Sequence, residues 1–123
     1  MPMLESSESV SHVDVCHDIS HLVNPQCDPL FWRADRVDVK SAWCEHIPFA
    51  HWLVGAVKPR VLVELGTHSG VSFAAFCLAV EKHGLSTRCH AVDTWQGDQH
   101  AGEYGDQVLE NLTNYHRQRF ASF

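Results

Sequence analysis

The pattern of hydrophobic and polar positions changes several times after residue 41 of this chain. Between residues 42 and 57, apolar side chains return every three or four positions, which predicts an amphipathic helix from about Pro48 to Lys58. Residues 60–66 form a short, β-branched apolar run closed by a glycine, and this pattern is typical of a buried parallel strand. Residues 1–40 show little periodicity, so we expect a flexible or irregular segment there.

A second helix and a second strand follow this first strand. Residues 70–83 are apolar on almost every side and end at Gly84, which predicts a helix packed on a sheet. Residues 87–93 predict the second strand, and the polar residues 94–102 predict a loop. A last helix is expected to end near residue 119, and its apolar positions at helical spacing are Tyr104, Val108, Leu112 and Tyr115.

The predicted order of helix, strand, helix, strand, helix is typical of an α/β fold. Alternation of this kind implies a Rossmann-like parallel sheet whose strands are joined by right-handed crossovers. We therefore expect residues 41–123 to form one α/β domain, with its first helix ahead of the sheet and residues 1–40 preceding it.

Both predicted strands end on the same edge of the sheet, which is where open α/β sheets bind ligands. Neighbouring strands lie about 4.8 Å apart, so the backbone after Glu64 is expected near the side chain of Asp93. The turn from Gly66 to Gly70 lies between them, and glycine adopts backbone angles that other residues resist. The sequence therefore predicts a crevice in which a glycine turn meets two carboxylates.

The spacing of the turn discriminates between two classes of ligand. A dinucleotide pyrophosphate prefers bare amides with no nearby anion, and its usual pattern is G-x-G-x-x-G. Here the pattern is E-x-G-x-x-x-G, with Glu64 at the strand end and no central glycine. A carboxylate at this point repels phosphate but suits a ligand with an ammonium and a sulfonium group, such as S-adenosylmethionine (SAM).

The segment ELGTHSGVS resembles the first motif of class I SAM-dependent methyltransferases, most closely the E-x-G-x-x-x-G-x-S form of the catechol and caffeoyl-CoA O-methyltransferase relatives. The segment HAVDTWQGD resembles their second motif. Residues 43–105 also look like bacterial methyltransferase domains often found beside glycosyltransferases. The resemblance implies methyl transfer from SAM, by expectation an O-methyl transfer to a small molecule or a sugar.

The resemblance also implies a set of cofactor-binding residues, without assigning a catalytic one. The backbone of the glycine turn would hold the methionine part of SAM, and its residues are Gly66, Thr67, His68 and Gly70. Glu64 would orient the ammonium group directly or through water, and Ser72 would help to bind the carboxylate. Asp93 would bind the ribose hydroxyls, and Trp95 could cover the adenine.

Purely structural interpretations of these residues stay open. The two glycines can serve only to make a tight strand-to-helix turn, and Glu64 can cap a helix or be solvated. Asp93 can cap the loop that follows its strand. For Trp95, packing is as good an interpretation as contact with adenine.

The resemblance covers only the first part of the known fold. That fold has seven strands, whereas this chain supplies a βαβα portion with two, so we expect a truncated fragment. The unpaired edge of the first strand could then support self-association. Two alternative functions remain: a truncated, non-catalytic domain or interaction module, and a Rossmann oxidoreductase that binds NAD.

Composition narrows the possible partners and surroundings. The formal net charge is −6 and the nine Lys and Arg residues are scattered, so we expect no nucleic-acid partner. No apolar run is long enough to span a membrane, and the five irregularly spaced cysteines are typical of reduced thiols, which together predict a cytoplasmic protein. The nearest approach to a metal cluster matches no recurring zinc pattern, so we predict no metal site; its members are Cys16, His17, His21 and Cys27.

Overall fold

The computed structural model describes residues 26–121. Most of the segment predicted to be flexible or irregular, residues 1–25, lies outside the described residues. So do three members of the Cys and His group considered above for metal binding: Cys16, His17 and His21. Two short 3₁₀ turns, Asp28–Phe31 and Cys44–His46, precede the regular elements. These elements are, in chain order, α1 (Ile47–Val57), β1 (Val61–Leu65), α2 (Val71–Lys82), β2 (Arg88–Val92), β3 (Gly97–Asp98), β4 (Gly102–Glu103) and α3 (Asp106–Arg119).

Helix α1 begins and ends at residues that restrict the backbone. Pro48 lies in its first turn, where its missing N–H is not needed by the helix. Lys58 adopts a left-handed conformation with φ 49°, and its amide donates to the carbonyl of Val54 at 2.8 Å. Pro59 follows and cannot continue the helix. The predicted bounds of this helix are therefore confirmed to within one residue at each end.

Strands β1 and β2 pair in parallel, which confirms the predicted α/β fold with a Rossmann-like parallel sheet. The register places Glu64 beside Ala91 and Leu65 beside Val92. Because β1 and β2 run in the same direction, the turn after β1 and Asp93 after β2 meet at one edge. The predicted loop 94–102 instead carries most of a small antiparallel hairpin, β3 and β4, that the sequence pattern does not signal.

The core lies on one face of the parallel sheet. Helix α2 is its centre, with nine of its twelve residues buried. Leu62 of β1 packs against Val54 of α1 and against α2, while Cys89 and Ala91 of β2 pack against a cluster that includes Phe73. Helices α1 and α2 therefore contact the same side of the sheet.

The prediction that β1 is a buried strand is wrong for its opposite face. Val63 is 56% exposed and Leu65 is 79% exposed, and exposed and half-buried residues alternate along both strands. An apolar run of this kind predicts cover on both faces, as parallel strands usually have. Within residues 26–121, the helices lie on only one of them.

Helix α3 begins two residues later than its apolar spacing suggests. Tyr104 was predicted as the first position of its apolar stripe, but the helix begins at Asp106 and Tyr104 lies in the loop before it. Leu112 is the buried residue of the helix and packs beside Gly70 at the start of α2. The spacing from Tyr104 to Val108 fits a helix, and only the neighbouring Gly105 marks the break.

Arg119 at the end of α3 connects three distant parts of the chain. Its Nε lies 2.5 Å from Oδ2 of Asp35, and its two terminal nitrogens donate to both carboxylate oxygens of Glu81 at 3.0 and 2.7 Å. These hydrogen bonds hold the pKa of Glu81 below its ordinary value. The segment before α1 is thereby held against α2 and α3.

No helix among residues 26–121 has both the length and the apolar character needed to cross a bilayer. Cys77 is fully buried and Cys89 half-buried, and both are free thiols.

Replacing Gly70 with alanine should destabilise the fold more than the same change at Gly84. Both glycines have positive φ, 79° and 63°, but a Cβ at Gly70 would lie 2.3 Å from Cδ1 of Leu112, whereas one at Gly84 meets nothing within 4 Å. We expect Gly84→Ala to lower the free energy of unfolding by about 1–2 kcal/mol. Gly70→Ala should lower it by about 1–3 kcal/mol more, as measured by urea denaturation.

The double variant with Leu112→Ala separates packing from backbone strain. Removing the leucine side chain makes room for the new Cβ. The double variant Gly70→Ala/Leu112→Ala should therefore lose less stability than the two single variants lose together. Equal losses for Gly70→Ala and Gly84→Ala would contradict the packing explanation.

Candidate functional site

A crevice of about 500 Å³ opens at the carboxyl edge of the parallel sheet. A volume of this size is typical of pockets that hold small molecules. Its floor is formed by the ends of β1 and β2 and its far wall by the hairpin β3–β4. The lining residues that matter below are Gly66, His68, Asp93, Asp98 and Tyr104.

The turn between β1 and α2 is built from three left-handed residues. Gly66, His68 and Gly70 have φ of 82°, 49° and 79°. The amide of Gly66 donates to the carbonyl of Val92 at 2.9 Å and so continues the sheet, and the amide of Gly70 donates to the carbonyl of Thr67 at 2.8 Å. The local sequence needs glycine at two of these positions because side chains disfavour the left-handed region.

The two glycines of the motif differ in their surroundings. Gly66 lines the crevice, and a Cβ built on it meets no atom within 4 Å, so open space lies directly beside the backbone. Gly70 is buried, and Leu112 of α3 lies where its side chain would be. Gly66 is therefore the position that a ligand can approach, whereas Gly70 permits close packing of α3.

Asp93 links the end of β2 to this turn. Its Oδ2 accepts a hydrogen bond from the amide of His68 at 2.7 Å, and its Oδ1 accepts one from the amide of Trp95 at 2.8 Å. Burial alone would raise the pKa of Asp93, but these amides and the hydroxyl of Tyr104 outweigh it and hold the pKa below its ordinary value. Asp93 is consequently an anion at neutral pH.

Tyr104 is a crevice residue that the sequence analysis did not assign to the site. Its ring lies 4.5 Å from the ring of His68, centre to centre, and its hydroxyl is 3.4 Å from each oxygen of Asp93. The contacts to Asp93 are long, so the hydroxyl can be displaced by a better donor. The signal that could have found it is its position between two glycines, Gly102 and Gly105, in a loop rather than in a helix.

Glu64 lies beneath the glycine turn rather than on the crevice surface. It shares the face of β1 that α2 covers, and its nearest polar neighbours are the side chains of Thr67 and Ser72. Burial raises the pKa of Glu64, and the two hydroxyls offset only part of that effect. Oε2 of Glu64 and Oγ1 of Thr67 are buried and lack a hydrogen-bond partner among the described residues.

The structure places the remaining predicted site residues differently. Ser72 is only 5% exposed and lies close to Glu64, so it is not part of the crevice wall. Trp95 has left-handed φ, 51°, and its ring lines a separate cavity between α2 and α3, together with Phe73 and Leu112. The turn, Glu64 and Asp93 are therefore brought together, whereas Trp95 is directed away from them.

In the part of the chain from 26 to 121, no three His, Cys, Asp or Glu side chains are grouped in a way that could hold a metal ion.

Comparison with known proteins adds a family to this geometry. A family model described as a methyltransferase domain matches residues 63–123, which include the turn, Asp93 and Tyr104. The uncharacterized protein y4gI of Sinorhizobium fredii (strain NBRC 101917 / NGR234) is 48% identical over 104 residues, which cover 84% of this chain. The chain spans about 11% of the length of that relative. No solved structure matches the chain.

Replacing Asp93 with alanine should loosen the glycine turn. The change removes the acceptor for the His68 and Trp95 amides, so we expect these two amides to exchange with deuterium about tenfold faster or more. Asp98→Ala is the matched control, because Oδ1 of Asp98 accepts from the amides of His100 and Ala101, both at 2.7 Å. In that control only the hairpin amides should lose protection, and an unchanged His68 amide in Asp93→Ala would refute the link.

Proposed function

Residues 63–123 belong to the methyltransferase domain family that matches them, and on that premise we propose that the chain forms part of a SAM-dependent methyltransferase. The observation that carries the proposal is the crevice edge itself. There an open Gly66 backbone lies next to the anionic Asp93, and a buried carboxylate lies beneath the turn. This combination favours a nucleoside ligand that also bears positive charge.

The crevice fits the nucleoside part of the cofactor. The space beside Gly66 lets a ligand reach the backbone, and the oxygens of Asp93 can accept hydrogen bonds from a ribose diol. Tyr104 now occupies that side of the carboxylate at 3.4 Å, so its hydroxyl gives way to the shorter ribose hydrogen bonds. The ring of Tyr104, unlike that of Trp95, lines the crevice and can pack on the ligand.

Glu64 supplies charge complementarity behind the turn. Its buried Oε2 has no partner among the described residues, and a nearby ammonium group would compensate the cost of ionising it. When bound, SAM supplies an electrophilic sulfonium methyl group. The chain's own contribution is to hold the ligand in a fixed orientation, and such positioning supplies much of the rate enhancement in a methyl transfer.

We propose that the acceptor is a small hydroxylated molecule, such as a sugar, and that the transfer is to oxygen. This finer statement rests on the resemblance of residues 43–105 to methyltransferase domains beside glycosyltransferases. The NAD alternative is disfavoured because Glu64 lies where a pyrophosphate would need an uncharged surface.

The first test is the affinity for nucleosides, measured by calorimetry with SAM, S-adenosylhomocysteine and NAD. We expect binding of the first two, and Asp93→Ala should weaken both by about 10- to 100-fold because it removes charge-assisted hydrogen bonds to the ribose. Glu110→Ala removes an exposed carboxylate of α3 and should leave the affinity unchanged. Heat with NAD alone would overturn the proposal, and no heat with any of the three would favour a non-catalytic module.

The second test uses the raised pKa of Glu64. A carboxyl group whose pKa is raised on folding contributes stability below its unfolded pKa, and that stability is lost as pH rises through the raised value. As pH rises above 4.5, the ordinary pKa of a glutamate, Glu64→Gln should therefore gain stability relative to the wild type, as measured by urea denaturation. The same variant should bind SAM more weakly at pH 7, because it cannot attract the ammonium group.

A variant that is less stable than the wild type at pH 7, or that binds SAM equally well, would contradict this role. Glu110→Gln, an exposed change on α3, serves as the matched control for both measurements.

A further inference from the structure

A second cavity, of about 470 Å³, lies next to the crevice. Tyr104 lines both spaces, so a molecule in the second cavity is a neighbour of one in the crevice. Two apolar side chains, Val39 and Val108, contribute to its wall. The polar groups on the wall come from Arg36, Ser69, Gln107 and Asn111.

Arg36 is the most unusual residue of this wall because it is a buried cation. It is only 4% exposed, and the central carbon of its planar guanidinium lies 4.5 Å from the centre of the Tyr115 ring. Its Nε donates to the carbonyl of Ser69 at 2.8 Å, and its Nη2 donates to Oδ1 of Asn111 at 2.6 Å. Both acceptors are neutral groups.

Arg36 has no direct ion-pair partner among residues 26–121, although Asp35 and Asp38 act on the Tyr115 ring beside it. The ion pairs formed there by arginine, lysine or histidine are those of Arg119 with Asp35 and Glu81, and no carboxylate lies within 4.0 Å of the Arg36 guanidinium. A buried charge is costly unless it is paired, and a guanidinium has five N–H donors. Two of these donors are used by Ser69 and Asn111, so donors remain for a group in the cavity.

We propose that Arg36 binds a carboxylate or phosphate group of the acceptor substrate in this cavity. The inference rests on the proposed function and narrows its substrate class to anionic acceptors. The planar fork of arginine matches the paired oxygens of either group, and the two valines and Tyr104 suit an apolar or ring-shaped body attached to it.

The position of the cavity favours the acceptor over the cofactor. Gly66, His68 and Asp93 line the crevice but not the second cavity, while Arg36 and Asn111 line the second cavity but not the crevice. The two sites thus use different residues and meet at Tyr104. For methyl transfer, the reacting oxygen of the acceptor would extend past Tyr104 to contact the methyl group directly.

Inorganic phosphate is the probe for the anion site, and nuclear magnetic resonance is the readout. We expect saturable shifts of the Arg36 Nε–H and the Asn111 side-chain amide on titration at constant ionic strength. The variant Gln107→Glu places an anion on the cavity wall at an exposed position of α3, without removing any hydrogen bond of Arg36. It should weaken phosphate binding by about tenfold or more.

Gln118→Glu is the matched control, since it makes the same charge change at an exposed position eleven residues further along α3. Its affinity for phosphate should stay within about twofold of the wild type, because exposed charges so far apart are screened. No saturable shift at Arg36 and Asn111, or an equal loss in both variants, would overturn the anion site.

A second comparison distinguishes the acceptor from the cofactor as the source of the anion. S-adenosylhomocysteine carries a carboxylate, whereas 5′-methylthioadenosine has the same nucleoside without it. We expect Gln107→Glu to change neither affinity. A selective loss for S-adenosylhomocysteine would assign the cavity to the cofactor and overturn the acceptor assignment.

The phosphate titration and the S-adenosylhomocysteine titration also separate this inference from the function on which it rests. A chain that binds phosphate at Arg36 but no S-adenosylhomocysteine contradicts the proposed function. A chain that binds S-adenosylhomocysteine but shows no phosphate effect contradicts the anion site alone.

Discussion

The carboxylate of Asp93 is the interaction on which the rest of the site depends. It accepts the amide of His68 from the turn after β1 and the amide of Trp95 from its own loop. Neither amide has its donor used by regular secondary structure, so one side chain satisfies two loops at once. The parallel pairing brings the Asp93 carboxylate to the turn after β1. The turn has positive φ at Gly66 and His68, and the His68 amide faces the carboxylate. The crevice lies where these two loops meet the hairpin β3–β4.

Much of the fold was predictable because its signals are local. Proline and glycine mark the ends of α1 and α2. The alternation of helices and strands predicts that β1 and β2 pair in parallel, as they do. The family match confirms the predicted class I methyltransferase domain, while the catechol and caffeoyl-CoA subtype stays a prediction. The exposed face of β1 could not be anticipated, because apolar composition does not tell on how many sides a strand is covered.

The residues that were missed depend on contacts between distant parts of the chain. Arg36 lies in a segment with no periodicity, and its hydrogen bonds to Ser69 and Asn111, 33 and 75 positions away, give it a place beside the crevice. The sequence leaves two interpretations of Trp95 open. Its backbone has positive φ, which no residue pattern signals, and its side chain lines the cavity beside α3. The chemistry of the motif could thus be inferred from residue types, whereas the second cavity required the tertiary structure.

The bridge made by Arg119 imposes an order on assembly. Asp35 is synthesised long before Arg119, and the two are 84 positions apart, so the contact cannot form until α3 has left the ribosome. Closing so long a loop carries an entropic cost that must be met by elements already packed. The ion pair of Asp35 with Arg119 is therefore completed only after α3 has been synthesised, although the preceding turn Asp28–Phe31 already packs against α1.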